Sequence, residues 1–295
     1  MNRHATDFSS SIAELIRQRR SCRKYLEKPL AEDARRSLEA FFAANRNGPF
    51  GGRARFALVA ATAEDRTALK GLGTYGFIDG ATGFIVGAVE NAPRCLEDYG
   101  YLMERAILLA TDLGLGTCWL GGTFSKSSFA RKIGLTGGEL MPAVTAVGYP
   151  VDAGFSKDRI RRMAGSNSRR PPEELFYIGD FSTPLAPVDA GAYAGPLEMV
   201  RWAPSASNRQ PWRIVRTPTG WHFFLARTKG YGKGTLLFTV LRLADLQSVD
   251  MGIAMCHFEL AAREAGLAGD WVIEDPGIAT PRAGLEYTAT WRPAR

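Results

Sequence analysis

The sequence is poor in the residues that build cross-linked or metal-held scaffolds. Its four cysteines, Cys22, Cys95, Cys118 and Cys256, lie far apart with no C-x-x-C pair, and its three histidines, His4, His222 and His257, show no ligand spacing with them. A disulfide framework and a zinc centre are therefore not expected. Long apolar runs are missing too. The first residues, "MNRHATDFSSSIAELIRQRRS", hold no stretch of signal-peptide length, and a run such as "GFIVGAV" falls far short of the roughly 18 residues of a membrane span. The expectation is a cytoplasmic protein with no membrane partner.

What is present is the composition of a globular protein. The 295 residues are 45% hydrophobic and 23% charged, enough for two domains or one large one with a substantial core. The formal charge of +7 is concentrated in two stretches, Arg17 to Lys24 and Lys157 to Arg170. No nucleic-acid module surrounds them, so no nucleic-acid partner is expected; a small anionic ligand needs only a few such charges.

Hydrophobic spacing gives the elements. Ser11 and Glu14 form a capping-box spacing, and Ile12, Leu15 and Ile16 continue a helical face that predicts a first helix running into "RQRRS". A second helix is read over Ala31 to Ala44. "ARFALVAA" and "TGFIVGAV" read as strands, and Tyr99 to Leu113 as a long helix stopped by Gly114. "CWLGG" and "PAVTAVGYP" read as buried strands followed by turns. Beyond a Pro-rich connection, Pro171 to Pro196, the plan recurs. "MERAILLATDLGLGTCW" and "MCHFELAAREAGLAGDW" coincide at Met103/Met255, Leu108/Leu260, Ala110/Ala262, Gly114/Gly266, Leu115/Leu267 and Trp119/Trp271, an offset of 152 residues. A helix, a glycine stop, a leucine and a strand tryptophan are thus used twice, which predicts an internal duplication packed as a pseudo-dimer. The halves have diverged: "PPEEL" stands where the offset places a second "RRSCR", and "NRNGPFGGRARF" stands where the first half needs a counterpart of "APSASNRQPW".

Three stretches carry candidate chemistry. Arg19, Arg20, Ser21 and Arg23 offer guanidinium forks and a hydroxyl within one turn, suited to a phosphate, although a solvated helix end with arginines against its dipole reads the same way. In "PSASNRQPW", Pro204 and Pro211 fix the chain while Ser205, Ser207, Asn208 and Gln210 supply uncharged donors and acceptors; an Asx or Ser turn before a strand is the plainer account. "GLGTCWLGGTF" ends in Gly121 and Gly122, which let backbone N–H groups approach a flat ligand or simply make a turn. "KGYGKGT", Lys229 to Thr235, fails the P-loop pattern twice, at Arg227 and Gly234.

Together, "RRSCRKY", "APSASNRQPW", "GLGTCWLGG" and "SRRPPEEL" resemble the FMN-dependent nitroreductase family over most of residues 11 to 270. The order departs from ordinary members, in which the Pro-Ser motif follows the arginine motif closely; here it stands in the second repeat, as in a duplicated single-chain branch. The resemblance implies an α+β sandwich of two related halves, 1–175 and 176–295, with antiparallel sheets, long central helices and FMN between the halves. It implies that Arg19, Arg20 and Ser21 contact the FMN phosphate or ribityl chain, that Arg23 lies near the flavin N1/O2 edge as the one catalytic side chain, and that Gly121 and Gly122 face N5. Arg169, with Arg170, would close on the phosphate, and Pro204, Ser205, Ser207 and Asn208 would come from the other half. The implied activity is NADH- or NADPH-driven reduction of an electron-poor acceptor, a nitroaromatic or quinone, with one FMN per chain and no partner subunit. A flavin-binding protein without catalysis fits the same residues.

Overall fold

In the computed structural model, which describes residues 8–62, 65, 67–122, 124–151, 168–230, 244–281 and 284–294, Ser11 caps the first helix as its spacing predicts. Its hydroxyl accepts the Glu14 N–H at 3.2 Å, and α1 (Ile12–Gln18) buries Ile12, Leu15 and Ile16. Helix α2 (Glu32–Ala44) buries Leu38, Phe41 and Phe42. The two long helices, α3 (Cys95–Asp112) and, late in the chain, Leu246–Glu264, each begin at least a turn before the hydrophobic repeat suggests. Their first turns bury polar residues, Glu97 and Asp98 in one and Gln247 and Asp250 in the other. An apolar-face reading passes over such turns. The glycine stops hold: Gly114 and Gly266 adopt φ of +73° and +76°, the left-handed cap that spares a Cβ clash.

The first sheet, strand order β1-β2-β5-β3, is built from β1 (Ala54–Ala60), β2 (Gly83–Glu90), β3 (Gly116–Leu120) and β5 (Val144–Gly148), with the two-residue β4 (Glu139–Leu140) on β2. Helix α4 (Lys126–Lys132) follows β3. The second sheet, order β6-β7-β8-β10-β9, comprises β6 (Phe176–Ile178), β7 (Trp212–Thr217), β8 (Gly220–Ala226), β9 (Gly269–Val272) and β10 (Leu285–Pro293). Every strand pair among the described residues is antiparallel except β6 with β7. Leaving aside β4 and β6, both sheets run first, second, fourth, third in chain order, with a long helix between the second and third strands. Short α5 (Pro187–Ala190) and α6 (Ala194–Trp202) precede β7, and Leu246–Glu264 is α7.

Helices α3 and α7 cross at the centre of the molecule. Gly100 lies against the Val249 carbonyl and Gly252 against the Glu97 carbonyl, so closely that a methyl group on either glycine would overlap backbone atoms. The contacts are reciprocal at the 152-residue offset: Glu97 corresponds to Val249 and Gly100 to Gly252. Asp98 and Asp250 correspond likewise. Asp98 accepts the N–H groups of Phe50 and Gly52 at 2.9 and 2.6 Å, and Asp250 accepts that of Ala206 at 3.0 Å. Each aspartate therefore anchors the loop that enters a strand, β1 for Asp98 and β7 for Asp250. Mixed helix and sheet in a sandwich is the architecture the sequence led us to expect. Residues 152–167 and 231–243 lie outside the described residues, and with them most of the Lys157 to Arg170 stretch and of "KGYGKGT". Among the described residues no helix is long and apolar enough to cross a membrane, and no cluster of three metal-ligating side chains occurs.

Candidate functional site

The arginine stretch begins where α1 stops. Arg19 leaves helical geometry at φ −57° and ψ 122°, and the chain turns to run beside β3. Ser21 bridges Thr117 in parallel, and the Cys22 N–H donates to the Thr117 carbonyl at 2.7 Å. The arginine and glycine stretches are therefore neighbours, although nearly 100 residues of chain separate them. Arg20 and Arg23 lie half-buried on the same segment. Arg19 itself is buried, and its Nε stands 3.6 Å from Oε1 of Glu104, beyond hydrogen-bond range. Its Nε has no hydrogen-bond acceptor, a costly arrangement for a buried guanidinium.

Just past β3, Gly121 packs against Leu246 at the start of α7, where a side chain would have to displace the leucine methyls. Gly122 is exposed. One turn along α7, Asp250 holds Ala206, so the glycine turn and the 204–210 loop are fastened to the same helix end. That loop is unusual in its backbone. Ser207, Asn208 and Gln210 all have φ near +50°, three of the five non-glycine residues with positive φ among the described residues. Such conformations cost free energy and persist where surrounding contacts impose them, often at binding sites. Here the contacts are identifiable. Ser205 Oγ accepts the Gln210 N–H at 2.9 Å, and Asn208 Nδ2 donates to the Ser168 carbonyl at 3.0 Å.

The same loop captures the basic pair before Pro171. Gln210 Oε1 accepts the Arg170 N–H at 2.9 Å, while the Arg169 guanidinium reaches Asn208 Oδ1 at 3.4 Å and lies 5.8 Å from the Trp202 ring centroid. Of the two, Arg169 points toward the loop's polar groups; the Arg170 side chain pairs instead with Glu174 at 2.7 Å. Pro204 and the Trp202 carbonyl complete the loop's entry, the latter accepting from Arg169 at 3.4 Å.

A buried relay joins the arginine stretch to this second cluster. Glu104 of α3, fully buried, accepts the Trp119 indole N–H at 2.7 Å and faces Nε2 of His257 on α7 at 3.1 Å. His257 Nδ1 meets the Met199 carbonyl of α6 at 3.0 Å, one turn before the loop. Sequence reasoning missed the buried groups behind these segments, Asp98, Asp250 and the pair Glu104 and His257. For Asp98 and Asp250 a signal was available, since the 152-residue offset aligns them; Glu104 and His257 align with Cys256 and Arg105, so no repeat could reveal them.

Comparison with known proteins gives the same fold. The "Putative TM nitroreductase" family model matches residues 11–262. A "putative nitroreductase" from Thermotoga maritima superposes with a TM-score of 0.58 at 21% identity, over 96% of this chain and 94% of that one. A "putative nitroreductase" of Desulfovibrio desulfuricans in complex with FMN shares 23% identity over 56% of this chain and 95% of its own, with a TM-score of 0.42. The NADPH:FMN oxidoreductase of Vibrio harveyi shares 18% over 51% and 73%, with a TM-score of 0.39. No curated protein matches. With a family model spanning residues 11–262 and a full-length fold match beside it, the chain belongs to the "Putative TM nitroreductase" family.

Proposed function

We propose that the protein binds one FMN between the arginine stretch, the glycine turn and the 204–210 loop, and uses it to pass electrons from NADH or NADPH to an electron-poor acceptor such as a nitroaromatic or quinone. The observation that carries this reading is that Ser21 and Cys22 run beside Thr117 of β3, the strand that ends at the glycine turn, while that turn and the polar positive-φ loop are held by the same end of α7. Those residues fit an anionic, flat, hydroxyl-bearing ligand. Arg19 and Arg169 bind its phosphate, Arg20 and Ser21 the phosphate or ribityl end, and Pro204, Ser205, Ser207 and Asn208 the opposite side. Gly121 and Gly122 offer backbone N–H groups where a side chain would block approach, and Arg23 places a cation near the flavin's N1/O2 edge. FMN, when bound, supplies the hydride chemistry; the protein binds it, orients it and tunes its surroundings.

The chain also reads as a duplicated unit, residues 1–175 and 176–295. Supporting this are the shared strand order, the reciprocal glycine crossing and the paired aspartate anchors, the self-complementary contacts of a two-fold interface. At the offset, "PPEEL" replaces the arginines, so a second FMN lacks its cations. The test is spectroscopic. Purified protein should be yellow, and NADH or NADPH should bleach it without air until a nitro compound or quinone restores the colour. Colourless protein that takes up no FMN on titration would overturn the reading. Bound flavin that neither donor bleaches would leave a flavin binder without turnover.

A further inference from the structure

Glu104 poses a charge problem for the site. An ionised carboxylate 3.6 Å from Arg19 cancels the positive charge that a phosphate needs. The hydrogen-bond inventory resolves it. The Met199 carbonyl can only accept, so His257 Nδ1 carries a hydrogen and donates to it at 3.0 Å. That leaves Nε2 facing Glu104 Oε1 at 3.1 Å, and two lone pairs at that distance repel. Trp119 already donates to Oε2 at 2.7 Å, so this second donor does not relieve the contact at Oε1. We infer that the Glu104–His257 pair retains one proton, so that Arg19 and the pair together keep a net charge of +1, and that His257 is thereby a positioning residue for anion binding at Arg19. Whether the proton rests on Nε2 or on Oε1, the sum is the same.

The other half of the molecule supplies an internal control. Glu259 of α7 likewise accepts a strand tryptophan, Trp271, at 2.7 Å, but no histidine among the described residues pairs with it. There the carboxylate takes its arginine directly: Arg263 Nε lies 2.7 Å away and Nη2 donates to the Gly269 carbonyl at 3.1 Å. Tyr101 shares a hydrogen bond with Glu259, and Cys256 lies near both carboxylates and Arg105. Where histidine occupies the carboxyl, the arginine stands off; where it does not, the arginine is consumed.

The inference rests on the proposed FMN site, and the experiment separates the two. FMN and riboflavin, which lacks the phosphate, are titrated into the full chain and three variants. Glu104→Gln should bind FMN within about threefold of wild type, because a neutral amide leaves the sum at +1. His257→Gln should weaken FMN by about tenfold or more, because Glu104 then neutralises Arg19. The double variant Glu104→Gln/His257→Gln should recover the affinity, and riboflavin should bind all four proteins alike. A double variant weaker than His257→Gln, the additive outcome of a merely structural role, would overturn the proposal. Should a variant fail to fold, the imidazole 15N spectrum of the wild type decides, with only three histidines to assign: a His257 Nε2 signal that is neither protonated nor hydrogen-bonded overturns it, and a protonated or hydrogen-bonded one supports it. Wild type that binds neither flavin defeats the proposed function, while the 15N result still tests the pair.

Discussion

At the scale of single residues, charge and burial set the expectations. Charge-assisted hydrogen bonds are worth roughly 1.5–3 kcal/mol each, so Arg19→Ala or Arg169→Ala should weaken FMN by about one to two orders of magnitude. Flavin fluorescence titration checks this, and unchanged affinity in both means that the phosphate lies elsewhere. His222 makes a different prediction. It sits between Thr217 and Thr290, with 2.7 Å contacts to each hydroxyl, and burial lowers its pKa to about 4. Between that value and the ordinary 6.5 the unfolded chain takes up a proton that the folded one refuses, so stability should fall as pH drops through this window. Asp98 acts in the opposite sense: burial raises its pKa to about 6, so its contribution falls as pH rises from 3.8. The two offset each other in the wild type. The measurement is therefore the difference in urea-unfolding free energy between wild type and His222→Gln, which should shrink from pH 6.5 to 4.

At the scale of elements, the crossing of α3 and α7 dominates. Glycine at positions 100 and 252 brings two backbones into contact, and a methyl group there must push the helices apart. Gly100→Ala and Gly252→Ala should each destabilise by about 1–3 kcal/mol, read as a lower urea midpoint at unchanged slope. Because both relieve their overlap by the same separation, the double variant should lose less than the sum. The crossing also explains why the loops are so well held: it places Asp98 and Asp250 where each can accept backbone N–H groups of an incoming loop. In the second half that loop carries the positive-φ residues, so the local backbone cost of Ser207, Asn208 and Gln210 is offset by a helix that the core fixes.

At the scale of the whole molecule, α1 reaches across to α7, where Glu264 accepts the Ile12 N–H at 2.6 Å, so the first helix is tied to the second half. On the proposed reading the chain carries both sides of its site and needs no second copy. Saturating titration should give one FMN per chain, and sedimentation should give a monomer of 32.2 kDa that retains it. A stoichiometry of two would show that the half with "PPEEL" still binds flavin; an obligate dimer sharing one site between chains would remove the pseudo-dimer argument.

The sequence by itself determined the first two helices, most strands of the first sheet, the glycine stops and the family. These follow from short-range rules: hydrophobic period, a capping serine, a residue able to adopt positive φ, and local stretches compact enough to compare. It also displayed two similar stretches at an offset of 152 residues, with the arginines near the first and the Pro-Ser stretch near the second. Only the tertiary structure decided which residues meet. Glu104 and His257 are ordinary letters on long buried helices until α3 and α7 cross, because a polar pair separated by 153 positions has no periodicity to announce it. The crossing is set by backbone contact at two glycines, and that contact places a carboxyl, an imidazole and an arginine in one dry space.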